Sequence, residues 1–280
     1  VLALSLGLLS SLGIGVGDFL ASQAGRRTRA VPLVTLAAVA GTLTALALTR
    51  IVASRVLMAD VALGALTGVL IAAALTLLYT GMTASSVGIV SPSLSVVTAA
   101  IPIAVAAIRG EPPSRLTSFG VVLALTAIVP MTISPHLGHR ALVGLAYGIG
   151  GGVCFGSAYS VLTATSVESG MWPVVSQRIV IVAALALVST ARGVDVLPRL
   201  EARTLSFVSG LLGTAGIAAF TAGVQRGNVA LVVVAGSLYP AVTTGLAVAF
   251  STERMRWWQV VGVTLGLSGV ALAAFGSAGE

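Results

Sequence analysis

Asp18 and Arg178 are charges set inside long apolar runs, and their chemistry is the first thing the chain offers. A carboxylate held in hydrocarbon exchanges a proton or pairs with a cationic group. A guanidinium in the same setting suits a carboxylate or a phosphate. An ionised carboxylate near the centre of a membrane helix costs about 2.5–3.5 kcal/mol on insertion scales, so something must offset Asp18. Ser11, Gly15, Asp18 and Ser22 recur at i, i+4, i+7 and i+11 and therefore share one helical face. Such a stripe faces a bundle interior or a water-filled cavity, which makes Asp18 a candidate for proton coupling or for binding a cationic substrate group. The plainer reading is an acid hydrogen-bonded near the interface. Arg178, beside Gln177, is either an anion-binding group or a side chain snorkelling from its helix end. The two lie toward opposite membrane faces in their runs, so a direct ion pair between them is not assumed.

Hydroxyls and prolines form the second set. Ser91, Ser95, Thr98 and Pro102 share a face of the run 87–108, which also holds Pro92, while Ser237, Pro240 and Thr244 share a face of the run 229–250. A proline inside a membrane helix frees a carbonyl and kinks the helix, tolerable where neighbours or a cavity satisfy it. Pro92, Pro102 and Pro240 are therefore the gating candidates, against a static packing kink. Gly152, Gly156, Tyr159 and Thr163 mark a comparable small-residue face in the run 142–165, where close packing and a cavity wall are both open readings. Tyr79 and Tyr239 are weaker lining candidates.

The solvent that these residues live in follows from composition. With 57% hydrophobic and 8% charged residues and a mean hydropathy of +1.07, the chain is not a water-soluble globule. Crossing a hydrocarbon core of roughly 30 Å takes about 20 apolar residues. Ten runs meet that length, at approximately 2–24, 31–52, 61–82, 87–108, 118–134, 142–165, 172–191, 204–225, 229–250 and 257–276. They are rich in Leu, Val and Ala and apolar on most faces, which points to helices rather than barrel strands. The links 83–86 and 226–228 are short enough to force antiparallel hairpins, and the longest polar link is 192–203.

The first run has no basic segment before it and carries Asp18, so it reads as a span and not as a cleaved signal. Cys154 stands alone, which leaves no disulfide framework. The net charge of +7 comes from fifteen Arg and no Lys, nearly all at helix ends, and this is a topology and headgroup pattern rather than a nucleic-acid surface. Odd-numbered links hold nine Arg and even-numbered links five, a bias that places odd links in the cytoplasm and both termini outside. Trp172, Trp257 and Trp258 stand at span ends as interfacial anchors.

A block from Thr67 to Val129 returns from Ser209 to Ala271, displaced by 142 positions without a gap. The register pairs Gly68 with Gly210, Gly81 with Gly223, Ser95 with Ser237, Glu111 with Glu253 and Gly120 with Gly262. Only 8 of 280 residues are acidic, so the Glu pair is the informative match. The expected fold is an all-α integral membrane protein of ten transmembrane helices, built as two five-helix repeats over 1–134 and 140–280. An odd number of crossings per repeat inverts the second copy, with a site expected near the midplane between them.

The duplicated five-helix unit, the break Arg109-Gly110-Glu111 before the Gly120 helix, and the stretch Ser86-Val87-Gly88-Ile89-Val90-Ser91-Pro92 resemble the EamA-type drug/metabolite transporter superfamily. The resemblance covers essentially the whole chain. It implies ten helices, secondary transport, mostly export of amino acids and other small metabolites, and cytoplasmic termini, opposite to the Arg distribution. Two departures are Ser251-Thr252-Glu253-Arg254 where a Gly is usual, and two prolines after Glu111.

Together these point to a secondary active transporter in the cell membrane, of the bacterial inner or plasma membrane kind. It would export small amphipathic metabolites by alternating access, with proton coupling through Asp18 as an option. A uniporter or facilitator of the same substrates, and a non-transporting membrane scaffold, are the alternatives. The expected partners are a small-molecule substrate, the lipid bilayer and protons, with no nucleic acid. No cofactor or metal is expected: there is no Walker-type phosphate loop, and His136 and His139 lack further ligands nearby. A lipid-modifying enzyme would need an interfacial His, Asp or Glu cluster, which the chain does not have.

Overall fold

A polypeptide in hydrocarbon must satisfy its backbone internally, and the described residues do so entirely as helices and short links. The computed structural model describes residues 2–85, 114–126, 139–226 and 238–250 without a break. It also describes 90, 93–94, 97–98, 100–101, 104–105, 108, 110, 232, 235–236, 261, 264–265, 268–269, 272 and 275–276. The helices are α1 (Leu2–Gly25), α2 (Ala30–Leu48), α3 (Met58–Ala84), α4 (Arg115–Thr126), α5 (His139–Leu162), α6 (Trp172–Arg192), α7 (Leu200–Gln225) and α8 (Tyr239–Phe250), with a 3-10 turn at Val167–Ser169. Six of them, α1, α2, α3, α5, α6 and α7, are long and apolar enough to cross a membrane. The chain is a multi-pass membrane protein.

Hydroxyls inside these helices are tamed locally. Thr35, Thr42 and Thr44 of α2 each donate to the carbonyl four residues back, at 2.8 Å. That bond removes most of the cost of a hydroxyl in hydrocarbon. Helix ends follow familiar chemistry: Pro173 sits in the first turn of α6, and Gly193 at φ +60° closes it in the left-handed conformation.

Three boundaries differ notably from the sequence expectation. The second run was expected to reach Val52, but α2 stops at Leu48. Val52 instead turns into a core cluster with Ala45, Met171, Val174, Val175, Ala218 and Ala222, so an apolar residue that would lengthen the span is used for packing. The eighth apolar run, as α7, starts at Leu200, four residues early, and shortens the link after α6 to 193–199. On the other side, α3 extends to Ala84 and takes up the start of the expected hairpin link.

The chain divides into two packed units, Val1–Ala72 with Val161–Thr252, and Ala73–Ser160 with Glu253–Glu280. Each draws segments from both sequence halves. In the first unit α1 packs on α7 and α8, and α2 packs on α6 and α7. Gly7 of α1 meets the fragment that precedes α8, where an added Cβ would lie 2.7 Å from the Ala235 methyl and 3.0 Å from the Val232 carbonyl. In the second unit α5 does the same with different residues. Gly148 of α5 presses on Ser93, and its added Cβ would lie 2.8 Å from the Val90 carbonyl.

Candidate functional site

In the first unit the polar residues collect where α1, α2, α6 and α7 meet. Gly41 makes the meeting possible: a Cβ there would sit 2.7 Å from Oγ1 of Thr214 and 3.3 Å from Nε of Arg178. Arg178 of α6 thus lies across the backbone of α2 beside a threonine of α7. Thr214 is fully buried, and its hydroxyl has no hydrogen-bond partner among the described residues. Asp18 of α1 interacts electrostatically with Arg178.

No direct ion pair is assumed from the sequence, and the attraction between the two charges is compatible with that. Asp18 lies about 7 Å past the middle of α1 and Arg178 about 6 Å before the middle of α6, at 1.5 Å per residue. An arginine side chain spans much of that difference, and the glycine on α2 leaves it a path.

The stripe on α1 divides into two parts. Ser11 and Gly15 are buried, and Gly15 packs so closely on α8 that a Cβ would lie 2.8 Å from the Tyr239 carbonyl. Asp18 and Ser22, further along the same face, are exposed. The Ser11 hydroxyl donates to Leu8 O at 2.9 Å and that of Ser22 to Phe19 O at 2.7 Å, so both are engaged within the helix. The carboxylate of Asp18 is the chemically distinctive group of the stripe.

Tyr239 opens α8 and is exposed, with Pro240 at the second helical position. Leu238 before it is in a turn. Pro240 therefore occupies a first turn, where its missing N–H costs little. Thr243 bridges this turn to α1, donating to Gly15 O at 3.1 Å and Tyr239 O at 3.0 Å. In the second unit Gly152 and Gly156 of α5 are buried against Leu94, Val97, Thr98 and Ile101, the close-packing reading of that face. Tyr159 is exposed and Thr163 lies past the helix end. Tyr79 is a helical residue of α3. Ser91, Pro92, Ser95, Pro102 and Ser237 lie outside the described residues.

A buried pair joining α3 to α6 was not anticipated. Gln177 Nε2 donates to Thr67 Oγ1 at 2.9 Å, and Thr67 passes its own proton to Gly64 O at 2.7 Å. Gly64 and Gly68 flank Thr67, and Gly64 sits against the Pro173 carbonyl. The legible signal was Gly64-x-x-x-Gly68, a small-residue spacing that lets helix backbones touch. A cavity of 470 Å³ bordered by Ala53, Ser54, Arg55, Val167, Glu168 and Gln225 lies elsewhere. Gln225 is eleven residues beyond Thr214 on α7, roughly 16 Å along the helix.

The EamA-like transporter family model matches residues 142–275. Residues 142–275 belong to the EamA-like transporter family. The 142-residue register carries the block 67–129 onto 209–271, inside this EamA-like segment, so the first half repeats a large part of what the family model recognises. A solved crystal structure of a protein superposes with a TM-score of 0.70 at 15% identity, over 97% of this chain and 95% of that one, and shares this chain's fold. No curated protein matches the sequence.

Proposed function

We propose that the chain is a secondary active transporter of the drug/metabolite type that exports small amphipathic metabolites such as amino acids. It works by alternating access between two inverted five-helix repeats of a ten-helix membrane domain. One observation carries the reading. Gly7 packs on Val232 and Ala235 in the first unit, and Gly148 packs on Val90 and Ser93 in the second. The partners differ by 142 positions in each case, the displacement of the repeat. The opening helix of each half thus engages the fourth span of the other half at equivalent residues. This reciprocal exchange is what a pseudo-two-fold relation between repeats requires, and that symmetry lets one carrier adopt two mirrored states. The family match in 142–275 supports transport over catalysis.

Within this reading Asp18 is the proton-coupling carboxylate, and Arg178 is the counter-charge it faces when ionised. A proton arriving on Asp18 releases Arg178, and deprotonation restores the attraction, so the charge state of α1 is tied to its packing against α6 through a single carboxyl group. Ser11, Ser22, Tyr79, Ser91, Ser95, Tyr159, Ser237 and Tyr239 are the lining candidates, and the prolines at 92, 102 and 240 are the flexing points.

Uptake and efflux in proteoliposomes across a metabolite panel, with and without a pH gradient, test the proposal. Export of at least one amino acid, stimulated by the gradient, is expected. Asp18→Asn is expected to keep gradient-independent exchange and lose the stimulation. If Asp18→Asn retains its dependence on the gradient, the coupling role is wrong, and if the native protein shows none, the chain is a facilitator.

A further inference from the structure

A threonine in a membrane helix has a rotamer that lets its hydroxyl donate to a carbonyl one turn back. Two neighbours of Thr214 in α7 use that bond: Ser206 donates to Ala202 O at 2.8 Å and Thr221 to Ile217 O at 3.0 Å. Thr214 sits between them, roughly 2 Å from the middle of the helix, and is fully buried without such a bond. Buried hydroxyls are nearly always paired. This one is turned away from the acceptor that its own helix offers.

What it faces instead is set by Gly41 of α2. Thr214 Oγ1 and Arg178 Nε lie around the point where a side chain at position 41 would begin, at 2.7 and 3.3 Å from it, so the two atoms are no more than 6.0 Å apart. A rotation within the arginine side chain covers that distance, and the guanidinium carries five N–H donors for an oxygen to accept. The hydroxyl is not inherited from the repeat, since Thr214 corresponds to Ala72 in the 142-residue register. Arg178 is engaged electrostatically with Asp18 of α1. The other charges on the elements packed around it stand at helix ends: Asp60 in the first turn of α3, Glu201 and Arg203 in that of α7, and Arg50 just after α2.

We propose that Thr214 is the second station of the Arg178 guanidinium. With Asp18 ionised, Arg178 is held toward α1. When Asp18 takes up a proton, the attraction is lost, and Arg178 turns to donate a hydrogen bond to Thr214 Oγ1. The handover exchanges a tie between α1 and α6 for one between α6 and α7, so a single proton changes which helix holds α6. It rests on the proton-coupling role of Asp18 in the transporter reading. Thr214 acts through Arg178 and is a positioning residue.

A thermal double-mutant cycle in detergent at about pH 8 tests the handover without any transport measurement. With Asp18 present, Thr214→Val is expected to hold or raise the melting temperature. In an Asp18→Ala background, which removes the carboxylate that Arg178 faces, the same substitution is expected to lower it by about 3 °C or more, and Thr214→Ser to change it by less than about 1 °C. Should Asp18→Ala fail to fold, Asp18→Asn, the mimic of the protonated carboxyl, takes its place with the same expectation. An equal effect of Thr214→Val in both backgrounds overturns the proposal.

Proteoliposomes test the consequence, with whichever panel compound the native protein carries. Thr214→Val is expected to lower the gradient-stimulated part of transport about fivefold or more, and Thr214→Ser to restore most of it. Full stimulation in Thr214→Val overturns the handover. If the native protein shows no stimulation, the coupling reading fails, and the thermal cycle by itself decides whether Arg178 moves to Thr214.

Discussion

Thr214 shows what a single residue reveals that a sequence cannot. It sits in an apolar helix among glycines and alanines and drew no attention by type or spacing. The fold buries it completely beside Arg178 and Gly41, with no hydrogen-bond partner for its hydroxyl among the described residues. An unpaired buried hydroxyl costs about 1–3 kcal/mol, and the same shape without it is nearly free. Thr214→Val is therefore expected to raise the melting temperature in detergent or leave it unchanged, and a fall of several degrees would mean that the hydroxyl is engaged. Glu168 gives the opposite lesson. Its contact with Arg55, 3.9 Å long with both side chains largely exposed, is worth well under 1 kcal/mol. Glu168→Gln should leave thermal stability within error, because the bond from the Arg55 amide is accepted by the backbone carbonyl of Glu168 and does not need its charge.

At the scale of elements, α7 is the helix that organises the first unit, and its glycines are not equivalent. A Cβ at Gly210 would run into the Ala37 carbonyl of α2, whereas one at Gly213 would meet nothing within 4 Å. Overpacking a tight contact costs about 1–3 kcal/mol, while Gly to Ala in a helix interior gains up to about 1 kcal/mol. Gly210→Ala should lower the melting temperature and Gly213→Ala should hold or raise it; the same sign for both would show that α2 and α7 are not in this contact. The glycine pattern was visible in the sequence, but which glycine faces a neighbour was not. The same holds for span ends. Hydropathy carried the second helix to Val52, yet Val52 is more stable buried among Met171, Val174 and Val175 than continuing a helix into the interface.

The molecule as a whole does not pack along its sequence halves. Each packed unit takes helices from both, so neither half carries a complete core. Residues 1–134 expressed alone are expected to aggregate or be degraded, and co-expression with 140–280 is expected to recover a single species by size-exclusion chromatography. A monodisperse, helical 1–134 fragment would refute this. Of the candidate site, the sequence picked out both charges, Asp18 and Arg178, because a charge in hydrocarbon is costly wherever it lies. It assumed no direct pair between them, because spacing along two helices measures depth and says nothing of how far an arginine reaches.

That division runs through the whole protein. Composition and run length alone determined a membrane protein of helices, since a bilayer leaves the backbone few other ways to satisfy its hydrogen bonds. The 142-residue register likewise needed no coordinates, because duplicated residues stay in the text of the chain. Only the tertiary structure decided which glycine meets which backbone, that the charge of Arg178 is felt at Asp18, and that Asp60 and Gln225 bond to links far off in the chain. Those contacts are made by residues more than a hundred positions apart, and they depend on helix rotation and on gaps a few ångströms wide. No local pattern in the sequence encodes either one.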